Sequence, residues 1–179
     1  GFMDFTNFDE QFMRKILMKQ NYFWPNLAGQ IACDFKSRYL SGQLDDVISQ
    51  GTLKSINDSY SDMFKSLEFR ANEATKKLNE MKNVTCNPID GAMYAFPRIH
   101  LSKKFIEEAK KKDRKPDAHY CLELLEKSGI CVVPGNGFGQ EEGTYHLRTT
   151  ILPQPDEYFT QVFEKFKEFN DELMEKYAD

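Results

Sequence analysis

The chain has 179 residues, with 24 basic and 28 acidic side chains, a formal net charge of −4 and 13% aromatic residues. That length suffices for one domain, or one with a small appendage, to bury a core of its own. The slight acidic excess provides no global field for nucleic acid or an anionic membrane.

Asn7, Phe8 and Asp9 open a first helix in which Phe8, Phe12, Met13 and Ile16 recur at helical spacing behind polar capping groups, and Pro25 interrupts it. A short helix restarts over 26–35 and is expected to bury Leu27, Ile31 and Phe35, with Ser41-Gly42 and Gly51 marking turns after it. From Leu53 to Asn83 the apolar residues Ile56, Tyr60, Met63, Leu67, Ala71, Ala74, Leu78 and Met81 are three or four apart. They make one narrow stripe on a long helix lying across its own domain, although a coiled-coil seam has the same pattern. Asn87-Pro88 and Asp90-Gly91 form a turn, and a short strand from Ala92 to Pro97 puts Tyr94 and Phe96 on one face.

Ser102 caps a charged helix that ends near Lys112, and Pro116 opens the next, with Cys121, Leu124 and Leu125 inward. The basic run Lys110–Lys112 with Arg114 and Lys115 is interleaved with Glu107, Glu108 and Asp113 and reads as a solvated helix end. Gly129 closes the second helix in the left-handed conformation, and an apolar strand leaves over Ile130 to Val133. After Pro153, a last helix starting at Pro155-Asp156 carries Phe159, Val162, Phe163, Phe166, Phe169, Leu173 and Tyr177 as core.

Gly129 to Pro153 thus holds a buried strand, a glycine-rich turn and a second strand bearing Arg148 among apolar and hydroxyl neighbours. An unpaired guanidinium there needs an anion, whether a protein carboxylate or a ligand's carboxylate or phosphate. Gly135-Asn136-Gly137-Phe138-Gly139 invites a dinucleotide-binding reading, but Gln140 stands where the third glycine belongs and no helix is expected behind it. A tight loop that brings backbone close to another surface fits better. On the second strand Tyr145, Leu147, Thr149 and Ile151 point one way, and His146, Arg148 and Thr150 the other.

His146 reads as a hydrogen-bonding structural residue, as do His100 and His119. The cysteines Cys33, Cys86, Cys121 and Cys131 form no Cys-x-x-Cys pair and have no histidine at zinc spacing, which indicates neither a metal site nor a disulfide framework and fits a reducing compartment. No apolar run approaches the roughly 20 residues of a membrane-spanning helix, and no signal sequence opens the chain, though Gly1 in place of Met leaves room for an upstream segment. No nucleophile elbow, paired carboxylates or phosphate loop occurs, so on its own chemistry the sequence lacks a complete active site.

Cys86-Asn87-Pro88, Gly91 to Ile99, Tyr120-Cys121, Leu124-Leu125-Glu126 and Gly129 to Pro153 resemble the C-terminal part of the alanine aminotransferase family. Gly1 to Asp4 and Pro25 to Ala32 resemble it as well. Two departures are Asn136, where the family more usually has serine, and Lys36 to Gly51 in place of a proline-containing stretch.

The resemblance implies an α+β arrangement within the α/β family: a small, mainly antiparallel sheet with flanking helices and one long helix near 53–83, as the C-terminal portion of a fold-type I transferase. Residues 1–35 would follow the cofactor-domain lysine loop, and 36–179 would form the small C-terminal domain. It further implies pyridoxal 5'-phosphate in the complete enzyme, a homodimer, and transfer of the amino group of L-alanine to 2-oxoglutarate. No metal, nucleic acid or membrane is implied as a partner, and the compartment is the cytoplasm or the mitochondrion. Catalytic and cofactor-binding residues would precede residue 1, so the chain alone is expected to be inactive. Arg148 matches the family's arginine for the substrate α-carboxylate. The alternatives are a non-catalytic dimerisation or interaction module and an aminotransferase, or related lyase, of other amino-acid specificity.

Overall fold

The computed structural model describes residues 6–7, 9–20, 26–44 and 47–178. The proposed helix-opening Phe8 and the break at Pro25 lie outside them, as do Gly1 to Asp4. The chain divides into two compact units, Gly1–Ser59 and Tyr60–Asp179.

In the first unit, Asp9 Oδ1 accepts from the Phe12 amide at 2.8 Å and so caps helix α1, Glu10–Gln20. Asn26 caps α2, Leu27–Leu40, by accepting from the Ala28 amide at 2.9 Å. The helix runs past Phe35 and stops at the Ser41-Gly42 turn. Leu27, Ile31 and Phe35 are exposed, contrary to expectation, because periodicity shows that a helix has an apolar face but not that anything covers it. Gly51 does not mark a turn either. Helix α3, Gln50–Asn79, already contains it, because the Ser49 hydroxyl accepts from the Thr52 amide at 3.1 Å and starts the helix one residue earlier. The buried apolar residues here are Leu44 and Leu53, and Tyr39 Oη donates to Asn57 Oδ1 at 2.6 Å, tying α2 to α3.

In the second unit α3 turns its stripe inward only toward its end. Ala74, Leu78 and the following Met81 are buried, whereas Met63 is exposed. Then come strands β1 (Val84–Thr85), β2 (Tyr94–Ala95) and β3 (Arg98–Ile99), helices α4 (Lys103–Lys111) and α5 (Pro116–Ser128), strands β4 (Val133–Pro134) and β5 (Leu147–Thr150), and helix α6 (Asp156–Lys176). Local chemistry sets these helix ends. The Ser102 hydroxyl accepts from the Phe105 amide at 3.2 Å, Pro116 occupies the first turn of α5, and Gly129 ends α5 at φ 74°.

The strands are shorter than the sequence suggests. β2 covers only Tyr94–Ala95 of the expected 92–97, because Pro97 lacks an amide and the chain passes from the sheet of β2 to β3, which pairs with β1. The other sheet has the order β2-β5-β4, antiparallel throughout, with Tyr94 opposite Thr150 and Val133 opposite Arg148. β4 is therefore an edge and not a buried strand: Val132 is buried and Val133 exposed.

The core forms where α3, α4, α5 and the sheets meet α6. Phe159, Phe163, Phe166, Phe169 and Leu173 lie three or four apart on α6 and are all buried. Each such side chain contributes about 1.5–3 kcal/mol by leaving water. Tyr120 packs edge-on to Phe169 at 5.5 Å and donates its hydroxyl to Asn170 Oδ1 at 2.9 Å, and Asn170 Nδ2 donates to the Lys82 carbonyl at 3.0 Å.

Arg70, on α3, is 1% exposed. Its Nη1 donates to the carbonyls of Leu152 and Pro153 at 3.2 and 3.0 Å, its Nε donates to Ser66 O at 3.2 Å, and Asp156 Oδ1 stands 3.8 Å away. One side chain thus joins α3 to the segment between β5 and α6. Replacing it by Arg70→Met keeps most of the stem but strands two carbonyls, which should lower unfolding free energy by about 2–3 kcal/mol. A lower urea midpoint at unchanged slope would verify this; an unchanged midpoint would refute it.

His119, 0% exposed, stacks on Phe105 at 5.2 Å, and its Nδ1 has no hydrogen-bond partner among the described residues. Burial, and then the charge of Lys112, hold its pKa below the ordinary 6.5. The unfolded chain therefore takes up this proton first, so the stability tied to a neutral imidazole is complete above pH 6.5 and is lost as pH falls through the folded value. His146 shifts in the same direction, also mainly by burial. The melting temperature should fall below pH 6.5, well above the window in which Glu108, held at about 2 mainly by its hydrogen bond to Lys112, is protonated. His119→Phe should shrink that fall, and an identical pH profile would exclude His119 as its source.

Candidate functional site

Arg148 occupies the central strand of the three-stranded sheet, flanked by β2 on one side and β4 on the other. Its face is set by strand alternation. Leu147 and Ile151 point into the core, leaving Arg148 half-buried on the opposite face with His146.

The guanidinium carbon lies 4.7 Å from the Tyr94 ring centre and 4.9 Å from that of Phe138. Among the described residues it makes no hydrogen bond and no ion pair. Two aromatic faces hold a planar cation and restrict its rotation, contributing about 0.5–2 kcal/mol each, but they offer no lone pairs to its N–H groups. The donor fork is thus oriented and left free for an anion. A carboxylate is the shape that two parallel charged hydrogen bonds from one guanidinium fit. The protein-carboxylate alternative for meeting Arg148 finds no support among the described residues.

The rings that hold Arg148 are themselves held. Phe138 meets Phe96 edge-on at 5.6 Å, and Phe96 stacks on His146 at 5.0 Å. Tyr94, Phe96 and Phe138 nonetheless remain exposed at 43–47%. Beside them, a cleft of about 340 Å³ is lined by Cys86, Asn87, Tyr94, Phe96 and His146.

Phe138 ends a 3-10 turn, Gly135–Phe138, so a short helical turn does follow the strand where none was expected; Gly139 leaves it at φ 68°. The close approach inferred from the glycines occurs at Gly135. Its amide donates to His146 O at 2.7 Å, and a Cβ there would meet that oxygen at 2.7 Å and Gln140 Oε1 at 2.4 Å.

Asp117 in the first turn of α5, 1% exposed, anchors this turn. Its Oδ2 accepts from the Asn136 amide at 2.6 Å and from Gln140 Nε2 at 2.9 Å. Its Oδ1 accepts from Asn136 Nδ2 at 3.1 Å and from the Ala118 amide at 2.9 Å. Gln140 Oε1 in turn accepts from the His146 amide at 3.0 Å and faces His146 Nδ1 at 3.1 Å. A backbone amide can only donate, so the orientation of the Gln140 amide is fixed, and His146 must carry its proton on Nδ1. His146 is thus the structural, hydrogen-bonding residue the sequence suggested. Gln140, which spoils the dinucleotide fingerprint, is the loop's second anchor.

Elsewhere His100 is exposed, with Nε2 at 3.4 Å from Thr85 Oγ1. The four cysteines carry free thiols, and burial pushes the Cys121 thiol up to about 12, which leaves it inert. Sequence reasoning singled out Arg148 but not Phe138 and Asp117, which lie around it in the structure. An aromatic flanked by two glycines was a usable signal for Phe138. Asp117 looks like any acidic residue in a helix's first turn.

No family model matches the chain. It is 52% identical over 117 residues to glutamate–glyoxylate aminotransferase 2 of Arabidopsis thaliana, covering 65% of this chain and 24% of that protein. It is 42% identical over 153 residues to a probable mitochondrial alanine aminotransferase of Dictyostelium discoideum, covering 86% and 27%. Among solved structures it is similar to an alanine aminotransferase from Pyrococcus furiosus, at 29% identity and a TM-score of 0.52 over 64% of this chain and 26% of that one. The chain spans about a quarter of the length of the relatives it matches. It is homologous to the alanine and glutamate–glyoxylate aminotransferases, and its helices and small antiparallel sheets match the C-terminal part of fold-type I aminotransferases.

Proposed function

We propose that the chain is the substrate-carboxylate-binding portion of an enzyme that transfers the amino group of L-alanine to 2-oxoglutarate, giving pyruvate and L-glutamate. The observation that carries this reading is the half-buried Arg148 fork, clamped between Tyr94 and Phe138 and unpaired among the described residues. Both substrates of such a reaction present an α-carboxylate, so one arginine can serve the amino acid and the oxo acid in turn. Two parallel hydrogen bonds fix the carboxylate plane and with it the direction of the adjacent carbon, which converts binding energy into orientation.

Pyridoxal 5'-phosphate, when bound, supplies the carbonyl that accepts the amino group. The buried polar and charged side chains among the described residues are Arg70, Asp117, His119 and Asn170, with no lysine among them. These residues do not fit the cofactor, and the part assigned here is confined to the carboxylate end of the substrate. In this reading residues 1–35 follow the loop of the cofactor lysine, 36–179 form the small domain, and the complete enzyme works as a homodimer. No helix of the described residues is long and apolar enough to cross a membrane, and the free thiols agree with a cytoplasmic setting. The Dictyostelium relative is named as mitochondrial, which makes that compartment the alternative.

The identity to the Arabidopsis protein favours a second acceptor, glyoxylate, whose carboxylate the same fork would take. Comparing pyruvate formation with 2-oxoglutarate and with glyoxylate on the complete enzyme separates the two.

In the complete enzyme, Arg148→Ala should lower kcat/KM for alanine by roughly 2–5 kcal/mol of transition-state binding, with Arg148→Lys intermediate because an ammonium cannot form the fork. Unchanged kcat/KM would remove Arg148 from the site. The 179 residues alone should show no alanine-to-pyruvate turnover with added cofactor, and enzyme-level turnover would overturn the assignment of the reacting lysine to another segment.

A further inference from the structure

Asp117 is a fully buried carboxylate that meets no cation among the described residues: its four hydrogen bonds come from two backbone amides and two side-chain amides. Stability alone does not call for such a group, since a neutral acceptor would avoid the desolvation of a charge. What distinguishes it is where the donors lie. Asn136 is inside the 3-10 turn and Gln140 follows it, so the carboxylate grips the turn from both ends. Between these two grips sits Phe138, the ring 4.9 Å from the Arg148 guanidinium. Gln140 also fixes His146, on which Phe96 stacks, and Phe96 braces Phe138 from the side.

We propose that Asp117 is a positioning residue for the Arg148 anion site, acting through the Gly135–Phe138 turn to hold Phe138 against the guanidinium and keep its donor fork aimed outward. This rests on the reading of Arg148 as a carboxylate site. The contact order is explicit: Asp117 to Asn136 and Gln140, these to the turn, the turn to Phe138, and Phe138 to Arg148.

The test uses the 179-residue chain with ¹⁵N-labelled arginine, acetate as the probe, and the Arg148 Nε–Hε resonance, assigned by its loss in Arg148→Lys. A proton clamped between two rings has a ring-current-shifted position, which reports the clamp without any ligand. Asp117→Asn presents a donor where Asn136 or Gln140 also donates. It should move the free resonance toward the unstacked position and weaken acetate binding roughly three- to tenfold, the worth of one cation–ring contact, while circular dichroism stays unchanged. Gln140→Met, which leaves Asp117 its Asn136 and Ala118 bonds, should act in the same direction to a smaller extent and serves if Asp117→Asn fails to fold.

A resonance and an acetate affinity unchanged in the folded variants would overturn the proposal, even with a lowered melting temperature, since that would leave Asp117 a purely structural role. A wild-type resonance that ignores acetate but moves in Asp117→Asn would sink the carboxylate reading of Arg148 while upholding the positioning of its fork.

Discussion

A guanidinium held by rings and not by an acid is the constraint around which this unit is organised. An acid partner would satisfy Arg148 and quench it; aromatic faces restrict its motion and leave its hydrogen bonds unspent. The arrangement demands exact placement of groups from three places, with Arg148 on the central strand, Tyr94 on the neighbouring strand and Phe138 on the turn beyond the edge strand. Each of those places is in turn fixed by something buried: β2 by Ala95, β5 by Leu147 and the following Ile151, and the turn by Asp117.

Behind the sheet the helices act as a frame. The aromatic row of α6 fills the core, and the Tyr120–Asn170–Lys82 chain of hydrogen bonds satisfies the polar atoms that this core would otherwise strand. Arg70 joins the frame to the site's own strand from the far side, because the carbonyls it holds belong to the residues that continue β5. Buried Arg70 spends Nε and Nη1 on backbone carbonyls, whereas half-buried Arg148 meets rings and no acceptor among the described residues. Arg70 stands between Phe69 and Ala71 and Arg148 between Leu147 and Thr149, and only the partners that the fold supplies separate their roles.

What could be read from the sequence follows how local its physics is. Asp9 and Ser102 as caps, Pro116 as an opener and Gly129 as a left-handed stop depend on neighbours within a turn, and the structure places all of them as read. The α6 core was legible from one face of repeated phenylalanines, and Arg148 from a charge set in an apolar strand. The strands were overdrawn because a ladder needs its partner. β2 is only as long as its register with β5 permits, and Pro97 sends the chain away. Asp117 was invisible because its donors come from Asn136 and Gln140, on a turn that the sequence does not mark as close. On α2, the apolar spacing of Leu27, Ile31 and Phe35 was read as burial, but spacing specifies a face and not a cover.

The central position of β5 also bears on how the molecule folds. Helices α4, α5 and α6 can form from neighbouring residues, whereas the proposed anion site needs Val133 beside Arg148 and Tyr94 beside Thr150, and the second pairing closes a long stretch of chain. Contacts of that separation form slowly and add little until the loop entropy has been met. The proposed carboxylate site is therefore a property of the finished topology, and an anion bound there would act as a clasp that favours the completed sheet over partly folded states whose helices are already native.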